Sequence, residues 1–214
     1  MSEPARGQLV LVRHGETEWS RTGRHTGLTD VQLTDRGERL ANSMAAALRE
    51  RHFALVVTSP LERARRTAEL AGLVAGGAGS SAETEYETDD ELVEWDYGGY
   101  EGLTTPQIRE RLGRPWTVFA DGVVPGATPG ETIGQVAART REVLGRALAR
   151  LADGDVALVG HGHCLRILAA VYLAQEPHFG AHLQLDAGSV SVLDQEHGIP
   201  TIRSWNRTAG PSHT

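Results

Sequence analysis

The chain has 214 residues, which is long enough for one sizeable domain. Hydrophobic residues make up 40% and charged residues 23%, which is typical of a globular protein, and the net charge of −7 argues against general binding to nucleic acid. All 21 basic residues are arginines. The sequence therefore excludes a Walker phosphate loop, a kinase of the usual kind and a Schiff-base enzyme, which all require lysine.

The sequence carries no pattern for export or membrane insertion. No apolar stretch approaches the length of a membrane span, and residues 1–7 lack the apolar core of a signal peptide. The single cysteine, Cys164, excludes an internal disulfide and suits a reducing compartment. We therefore expect a cytoplasmic protein without a membrane partner. A homodimer through an exposed sheet edge is compatible with the sequence.

Apolar runs that alternate with helical patterns predict the elements of an α/β fold. Strands are expected at 8–13, 54–58 and 155–160, and helices follow at 35–51, 60–74 and 162–174. Thr34 is the predicted N-cap of the first helix, and Ser59-Pro60 is predicted to open the second. A long amphipathic helix is expected at 131–152, and two terminal strands at 188–193 and 199–205.

The alternation of strands and helices predicts a three-layer α/β/α sandwich around a mostly parallel sheet. We expect a single domain over 1–214 with a flexible C-terminal tail at about 207–214. Glycine and serine at 76–81 predict a surface loop. Eight acidic residues within 83–96 are expected mostly on a solvated face, with Glu94 as the exception because it precedes an aromatic and glycine-rich stretch.

Basic groups follow three of the predicted strands. Arg13 and His14 end the first, Arg63 lies one turn into the helix after the second, and His161 follows the third. Parallel strands end at one edge of a sheet, where helix N-termini favour an anion. A phosphoryl group in transfer needs several fixed cationic donors. Arg13, Arg63 and a protonated His161 would supply them, so no metal or other cofactor is required.

The remaining chemistry falls to His14 and Glu94. A neutral His14, oriented by a backbone carbonyl at one ring nitrogen, can attack phosphorus through the other. Glu94 is the candidate donor of a proton to the leaving alkoxide. Taken alone, His14 is equally compatible with a buried structural histidine. The weaker alternative for Glu94 is one more surface carboxylate.

Six segments occur together in this chain: Arg13-His14-Gly15-Glu16, Ser59-Pro60-x-x-Arg63-Ala64-x-x-Thr67-Ala68, Leu92-x-Glu94 with Gly98, Glu101-Gly102, Pro129-Gly130-Glu131-Thr132 and His161-Gly162. In this order and spacing they resemble the phosphoglycerate-mutase-like branch of the histidine phosphatase superfamily. The resemblance implies the corresponding fold, a phosphohistidine at His14 that water hydrolyses, and Glu94 as acid and later base. The candidate substrate-binding residues are Arg13, Thr26, Gly27, Arg63, Glu94, His161 and Gly162.

Departures from the family pattern favour a phosphatase over a phosphoglycerate-type mutase. Thr26-Gly27 resembles the substrate-contacting loop of the mutases, but Trp95 stands where they carry an arginine, and 110–130 lacks their paired-arginine run. Arg109, Arg111 and Arg114 are partial substitutes for those cations. Ser20 stands where many members carry asparagine, which replaces a phosphate contact by a hydroxyl.

We therefore expect a metal-independent phosphatase that hydrolyses phosphomonoesters of small metabolites. The alternatives are a phosphoglycerate-type phosphomutase, a catalytically silent member that binds phosphorylated ligands, and a metal-dependent hydrolase built on His161, His163 and Cys164. The last is weak because one His-x-His lacks a second pair; we expect His163 to point away from His161 and Cys164 to be a small core residue. Five aromatic residues within 95–119 indicate either a satellite core or a lid over the phosphate pocket.

Overall fold

The computed structural model describes residues 7–74, 77 and 83–208. Its six strands are β1 (Leu9–Arg13), β2 (Phe53–Thr58), β3 (Glu85–Thr88), β4 (Asp155–Gly160), β5 (Ser189–Glu196) and β6 (Ile199–Thr208). They form one sheet in the order β3-β2-β4-β1-β5-β6. The first four of these pair in parallel, whereas β5 lies antiparallel to both β1 and β6. The predicted mostly parallel sheet is confirmed.

Seven α-helices connect the described strands: α1 (Glu18–Arg21), α2 (Asp35–Leu48), α3 (Glu62–Leu70), α4 (Thr105–Leu112), α5 (Val118–Asp121), α6 (Ile133–Arg150) and α7 (Gly162–Tyr172). Two 3₁₀ helices lie at Asp90–Leu92 and Pro177–His182. Four of the α-helices match predicted ones, and α1, α4 and α5 were not predicted. Within the described residues, no helix combines the length and the apolarity that crossing a membrane requires.

The two faces of the sheet carry separate hydrophobic cores. Successive side chains of a strand point to opposite faces, and β1 shows this pattern. Val10 and Val12 pack with Met44 of α2 and residues of α3, whereas Leu9 and Leu11 pack with residues of α6 and α7. The sheet is therefore covered by helices on both faces, as the three-layer prediction requires.

One helix start is predicted correctly and another is not. Thr34 caps α2, since its hydroxyl accepts a hydrogen bond from Gly37 N at 3.0 Å. The prediction that Ser59-Pro60 opens the next helix is wrong, because α3 begins at Glu62 without a side-chain cap from its own N-cap residue. The carboxylate of Asp30 instead accepts from Glu62 N at 2.9 Å. The Ser59 hydroxyl is used elsewhere, in a hydrogen bond with His161.

The ends and the acidic segment differ in part from expectation. β6 includes Arg207 and Thr208, which were predicted to belong to the tail. Residues 209–214 lie outside the described part of the chain, and so does the predicted loop 76–81 except for Gly77.

In the acidic segment, Glu85 and Glu87 are exposed as expected and lie in the edge strand β3, which was not predicted. Asp96 is buried, which makes it a second exception beside Glu94 that was not predicted.

The loop after β1 packs against the start of α2 with its backbone. A Cβ at Gly37 would collide with the carbonyl oxygen of Glu16, and one at Gly15 would collide with the carbonyl oxygen of Gly37. Glu16 is held to the same helix start, because its carboxylate accepts from Thr34 Oγ1 at 3.0 Å and from Arg36. Only glycine permits this close approach.

We expect Gly37→Ala to destabilise the protein by about 2 kcal/mol or more, because the added methyl group has no room. Gly145→Ala is the matched control within α6, where a Cβ meets no neighbour within 4 Å. That substitution should stabilise by about 0.4–1 kcal/mol. Urea unfolding of both variants measures the two effects, and changes of the same sign would contradict the close approach at Gly37.

Candidate active site

The ends of three parallel strands bring the first group of candidate residues together. Arg13 is in register with Gly160, and His14 N donates to Gly160 O at 3.0 Å. On the other side of β4, Ser59 N donates to Val159 O at 2.9 Å. His14, Ser59 and His161 therefore meet at one edge of the sheet, where the sequence places them.

His14 is buried and held in one orientation. Its Nδ1 lies 2.7 Å from the carbonyl oxygen of Gly15. Because a carbonyl only accepts, Nδ1 carries the proton and Nε2 keeps its lone pair in the neutral ring. Burial, and then the charges of Arg63 and Arg13, lower the pKa of His14 well below its usual value. The sequence predicts a backbone carbonyl at one ring nitrogen of His14, and this carbonyl is that of Gly15.

His161 lies beside His14, with the ring centroids 5.1 Å apart. Its Nδ1 accepts from Arg63 Nε at 3.1 Å, so that nitrogen carries no proton, and Nε2 donates to the hydroxyl of Ser59 at 2.7 Å. Burial, together with the charge of Arg63, lowers the pKa of His161 well below its usual value. These contacts and the lowered pKa favour a neutral His161, whereas the sequence predicts a protonated ring.

Arg63 is fully buried and reaches the loop between α1 and α2. Its Nη1 donates to Thr29 O at 2.8 Å, and its Nη2 donates to Gly27 O at 2.8 Å and to Thr26 O at 3.3 Å. Burial lowers the pKa of Arg63, and the charges of Glu94 and Asp30 oppose this. The guanidinium thus fixes the loop and His161 at the same time.

The two candidate residues of that loop have different surroundings. Thr26 lines the cavity in front of His14, whereas Gly27 is buried and does not belong to the lining. Gly27 N donates to both carboxylate oxygens of Glu101 at 2.9 Å, and a Cβ there would lie 2.6 Å from Trp95 O. Since both backbone groups of Gly27 are already bonded, the structure does not place this residue where it would touch a substrate.

Glu94 is buried at the N-terminus of α7. Its Oε2 accepts from His163 N at 3.0 Å, and its Oε1 accepts from Cys164 N at 2.8 Å and from Trp95 N at 2.9 Å. The carboxylate thus occupies the place of a helix cap, which the N-cap residue His161 leaves open. It also lines the cavity. The position separates Glu94 from the exposed acidic residues of the same segment.

A half-buried ion pair holds the backbone around Glu94. Arg139 of α6 makes a two-pronged ion pair with Glu131, with N–O distances of 2.8 and 3.0 Å. The same guanidinium donates to the carbonyl oxygens of Glu91, Val93 and Glu94 at 2.7–3.2 Å. A guanidinium group is planar and holds its five N–H donors in fixed directions, so it can bind a carboxylate and several carbonyl oxygens at once. The motif Pro129-Gly130-Glu131-Thr132 marked the segment that contains Glu131, but no sequence pattern predicted that Arg139 would pair with it.

A cavity of about 180 Å³ opens in front of His14. It is lined by Arg13, His14, Ser20, Gly23, Arg24, His25, Thr26, Glu94, Tyr97, Gly162, His163, Arg166 and Leu185. Arg63 and His161 lie beneath it and are not part of the lining. Leu185 O accepts from Arg13, and Gly188 N donates to His14 O at 2.9 Å, so the turn before β5 closes the far side. Arg24, His25 and Arg166 were not predicted from the sequence as part of the site.

Buried aromatic residues support one wall of the cavity. Trp95, Tyr97, Tyr100, Trp116 and Phe119 form a third hydrophobic core with Ile108, Val136 and Ile167. Of the five aromatic residues, only Tyr97 belongs to the lining. The satellite-core interpretation of 95–119 is therefore the better one. Arg109 donates to Trp116 O and Arg114 pairs with Asp121, so neither supplies a cation to the cavity.

Ser20 and the segment after His161 also have partners within the protein. The Ser20 hydroxyl bonds to Thr17 N and Thr17 O in a capping box at the start of α1. His163 Nδ1 meets Tyr97 Oη at 2.5 Å, and Cys164 is fully buried, which raises the pKa of its thiol to about 12. Cys164 is a core residue as predicted. Among the described residues, no group of three or more histidine, cysteine or acidic side chains could hold a metal ion.

Comparisons with known proteins agree with the geometry. A model of the histidine phosphatase superfamily (branch 1) matches residues 9–208. The chain is 37% identical to an acid phosphatase of Mycobacterium tuberculosis, over 95% of this chain and 94% of that protein. It is 36% identical to sedoheptulose 1,7-bisphosphatase of Saccharomyces cerevisiae, over 77% of this chain and 67% of that protein. The chain therefore belongs to branch 1 of the histidine phosphatase superfamily.

A solved structure supports the same assignment. The product of an open reading frame of M. tuberculosis superposes with a TM-score of 0.83 at 36% identity, and the match covers 95% of this chain and 99% of that one. The fold is accordingly the phosphoglycerate-mutase-like α/β fold that the resemblance implied.

His25 makes the stability of the site dependent on pH. Burial lowers the pKa of His25 to about 4. The unfolded chain takes up this proton near pH 6.5 and the folded protein only near pH 4, so stability is lost as the pH falls through that window. The loss is on the order of 3 kcal/mol. We expect His25→Phe to lose less unfolding free energy than the wild type between pH 7 and pH 4.5 in urea titrations; equal losses would contradict this.

Proposed function

We propose that the protein hydrolyses phosphomonoesters of small metabolites through a phosphohistidine at His14. The observation that carries the proposal is the hydrogen bond from His14 Nδ1 to Gly15 O, which leaves an unprotonated Nε2 on a side chain that lines a cationic cavity. Because the pKa of His14 is lowered, the ring stays neutral and nucleophilic into the acidic range. The phosphatases among its relatives support the same reaction.

Arg13 is the proposed contact of the cavity with the phosphoryl oxygens. It lines the cavity, and its buried Nε has no hydrogen-bond partner among the described residues. A buried donor without a partner is costly, and a bound anion would satisfy it. Gly162, at the N-terminus of α7, adds the positive end of a helix dipole. We propose that Arg63 and His161 stabilise the phosphoryl group from beneath once it is bonded to His14, and that Thr26 contacts the substrate at the opposite wall.

In the proposed reaction, His14 Nε2 forms a bond to phosphorus while the ester P–O bond breaks. Glu94 gives a proton to the leaving alkoxide, then takes one from the water that attacks phosphorus and breaks the P–N bond. No step requires a metal. The mutase alternative is less favoured, since Trp95 is buried in the satellite core and Arg109 and Arg114 are directed away from the cavity. We also propose a cytoplasmic location, with a homodimer through an exposed edge of the sheet as a separate hypothesis.

A phosphohistidine can be trapped directly. After brief mixing with a ³²P-labelled phosphomonoester and quenching in alkali, the wild type should carry label that is stable to alkali and lost in acid. His14→Ala should carry none and lose about a thousandfold or more in kcat/KM. His52→Ala, at an exposed position outside the cavity, is the control and should label normally. Unchanged turnover in His14→Ala would contradict a phosphohistidine at this position.

The mutase alternative predicts a different outcome with phosphoglycerate. If the wild type isomerises phosphoglycerate faster than it releases phosphate, the mutase is favoured.

The role of Glu94 predicts a dependence on the leaving group. Glu94→Gln keeps the shape but cannot deliver the proton, so hydrolysis of an alkyl phosphate should slow by about 10²–10⁴-fold. Release of p-nitrophenolate needs no proton at neutral pH, so p-nitrophenyl phosphate should be affected much less in a burst-phase assay. Glu91→Gln, at a carboxylate outside the cavity lining, is the control. Equal slowing for both substrates would contradict a proton donor at position 94.

A further inference from the structure

The cavity carries more positive charge than one phosphoryl group needs. Its described lining includes three arginines but only one carboxylate, that of Glu94, and the pKa values of its three histidines are lowered by burial, so they add no charge. Arg13 stands beside His14, whereas Arg24 and Arg166 belong to other elements and are not needed for the proposed chemistry. Arg24 is exposed at the rim, and Arg166 is half-buried on α7. Cations in a concave site that the reaction does not use point to recognition of a further group on the substrate.

Arg166 is fixed in place by its surroundings. Its Nε donates to Gly180 O at 2.9 Å, its Nη2 donates to Ala181 O at 3.0 Å, and its Cζ lies 4.7 Å above the ring of Phe119. The hydrogen bonds of Arg166 within the described residues use only Nε and Nη2, so its third nitrogen, Nη1, remains available to a ligand. A guanidinium held in this way loses little entropy on binding and suits a carboxylate or a phosphate.

His163 lies one turn before Arg166 on the same face of α7 and also lines the cavity. Its Nδ1 lies 2.5 Å from the hydroxyl oxygen of Tyr97. Burial raises the pKa of Tyr97 well above its usual value and lowers the pKa of His163 well below its usual value, which favours the neutral form of both side chains. A neutral imidazole suits a neutral oxygen of the substrate, and Arg166 beyond it suits a charged one.

We infer that Arg166 selects phosphomonoesters whose carbon skeleton carries a second anionic group, a carboxylate or a phosphate, with Arg24 as a weaker contributor at the rim. The inference rests on the proposed function, which places the scissile phosphate at His14. At about 180 Å³, the cavity is smaller than the roughly 300–1,000 Å³ of common ligand pockets. The second anionic group therefore lies on the same short carbon skeleton as the phosphate, as in a small acid phosphate or a sugar bisphosphate.

Equilibrium binding to His14→Ala protein tests the inference without turnover. Titration calorimetry compares 3-phosphoglycerate with glycerol 3-phosphate, which lacks the carboxylate, and fructose 1,6-bisphosphate with fructose 6-phosphate, which lacks the second phosphate. We expect at least one doubly anionic compound to bind about tenfold more tightly than its partner. Adding Arg166→Gln should bring that ratio close to one, and Arg166→Lys, which keeps the charge but not the planar fork, should leave an intermediate ratio.

Arg65→Gln is the matched control, because Arg65 is an exposed arginine of α3 that pairs with Glu62 and lies outside the cavity lining. It should leave the ratios unchanged. Ratios near one for both pairs in the His14→Ala protein would overturn the inference, and so would a preference that survives Arg166→Gln. Failure of the wild type to hydrolyse these four compounds and p-nitrophenyl phosphate would overturn the proposed function alone, since the binding ratios do not depend on turnover.

Discussion

The arrangement of the site depends on one buried guanidinium, that of Arg63. A buried cation is tolerated only when its donors are satisfied. Arg63 meets this condition by bonding to His161 and to three carbonyl oxygens of the loop 26–29. The loop, α3 and the end of β4 are thereby fixed relative to one another. The same charge, acting after burial, lowers the pKa of both His14 and His161 and keeps the two adjacent rings neutral.

The sequence predicted the sheet and the strand-end residues because both follow from short-range patterns. Buried parallel strands are continuous apolar runs, and their carboxyl ends lie at one edge by topology alone. This is why His14, Arg63 and His161 could be placed together before their contacts were known. The protonation of His161 could not be predicted in the same way. It depends on burial and on the direction from which Arg63 approaches, which no spacing in the sequence records.

The features of the site that the sequence did not predict depend on contacts between polar side chains that are far apart in the chain. The sequence predicts that Ser59 caps a helix, but its hydroxyl is hydrogen-bonded to His161, 102 positions away. The sequence predicts that Asp96 is one more exposed acidic residue. In the structure, its carboxylate accepts hydrogen bonds from Gly98 N and from Gly130 N, 34 positions away. Arg166 and Arg139 sit within helices whose apolar periodicity explains the helix but not the two cations. A cation on a helix is exposed by default, and only the packing of other elements shows otherwise.

The turn before β5 ties the two ends of the chain to one another at His14. Arg13 donates to the carbonyl oxygen of Leu185, 172 positions later, and Gly188 donates to His14 O. Such distant pairs form late in folding, because the intervening chain must be ordered first. During synthesis on the ribosome, the first strand leaves the exit tunnel long before its partners β4 and β5 exist. A nascent chain that already contains His14 thus has no complete anion pocket until Leu185 and Gly188 have also been made, which separates the appearance of the nucleophile from the appearance of activity.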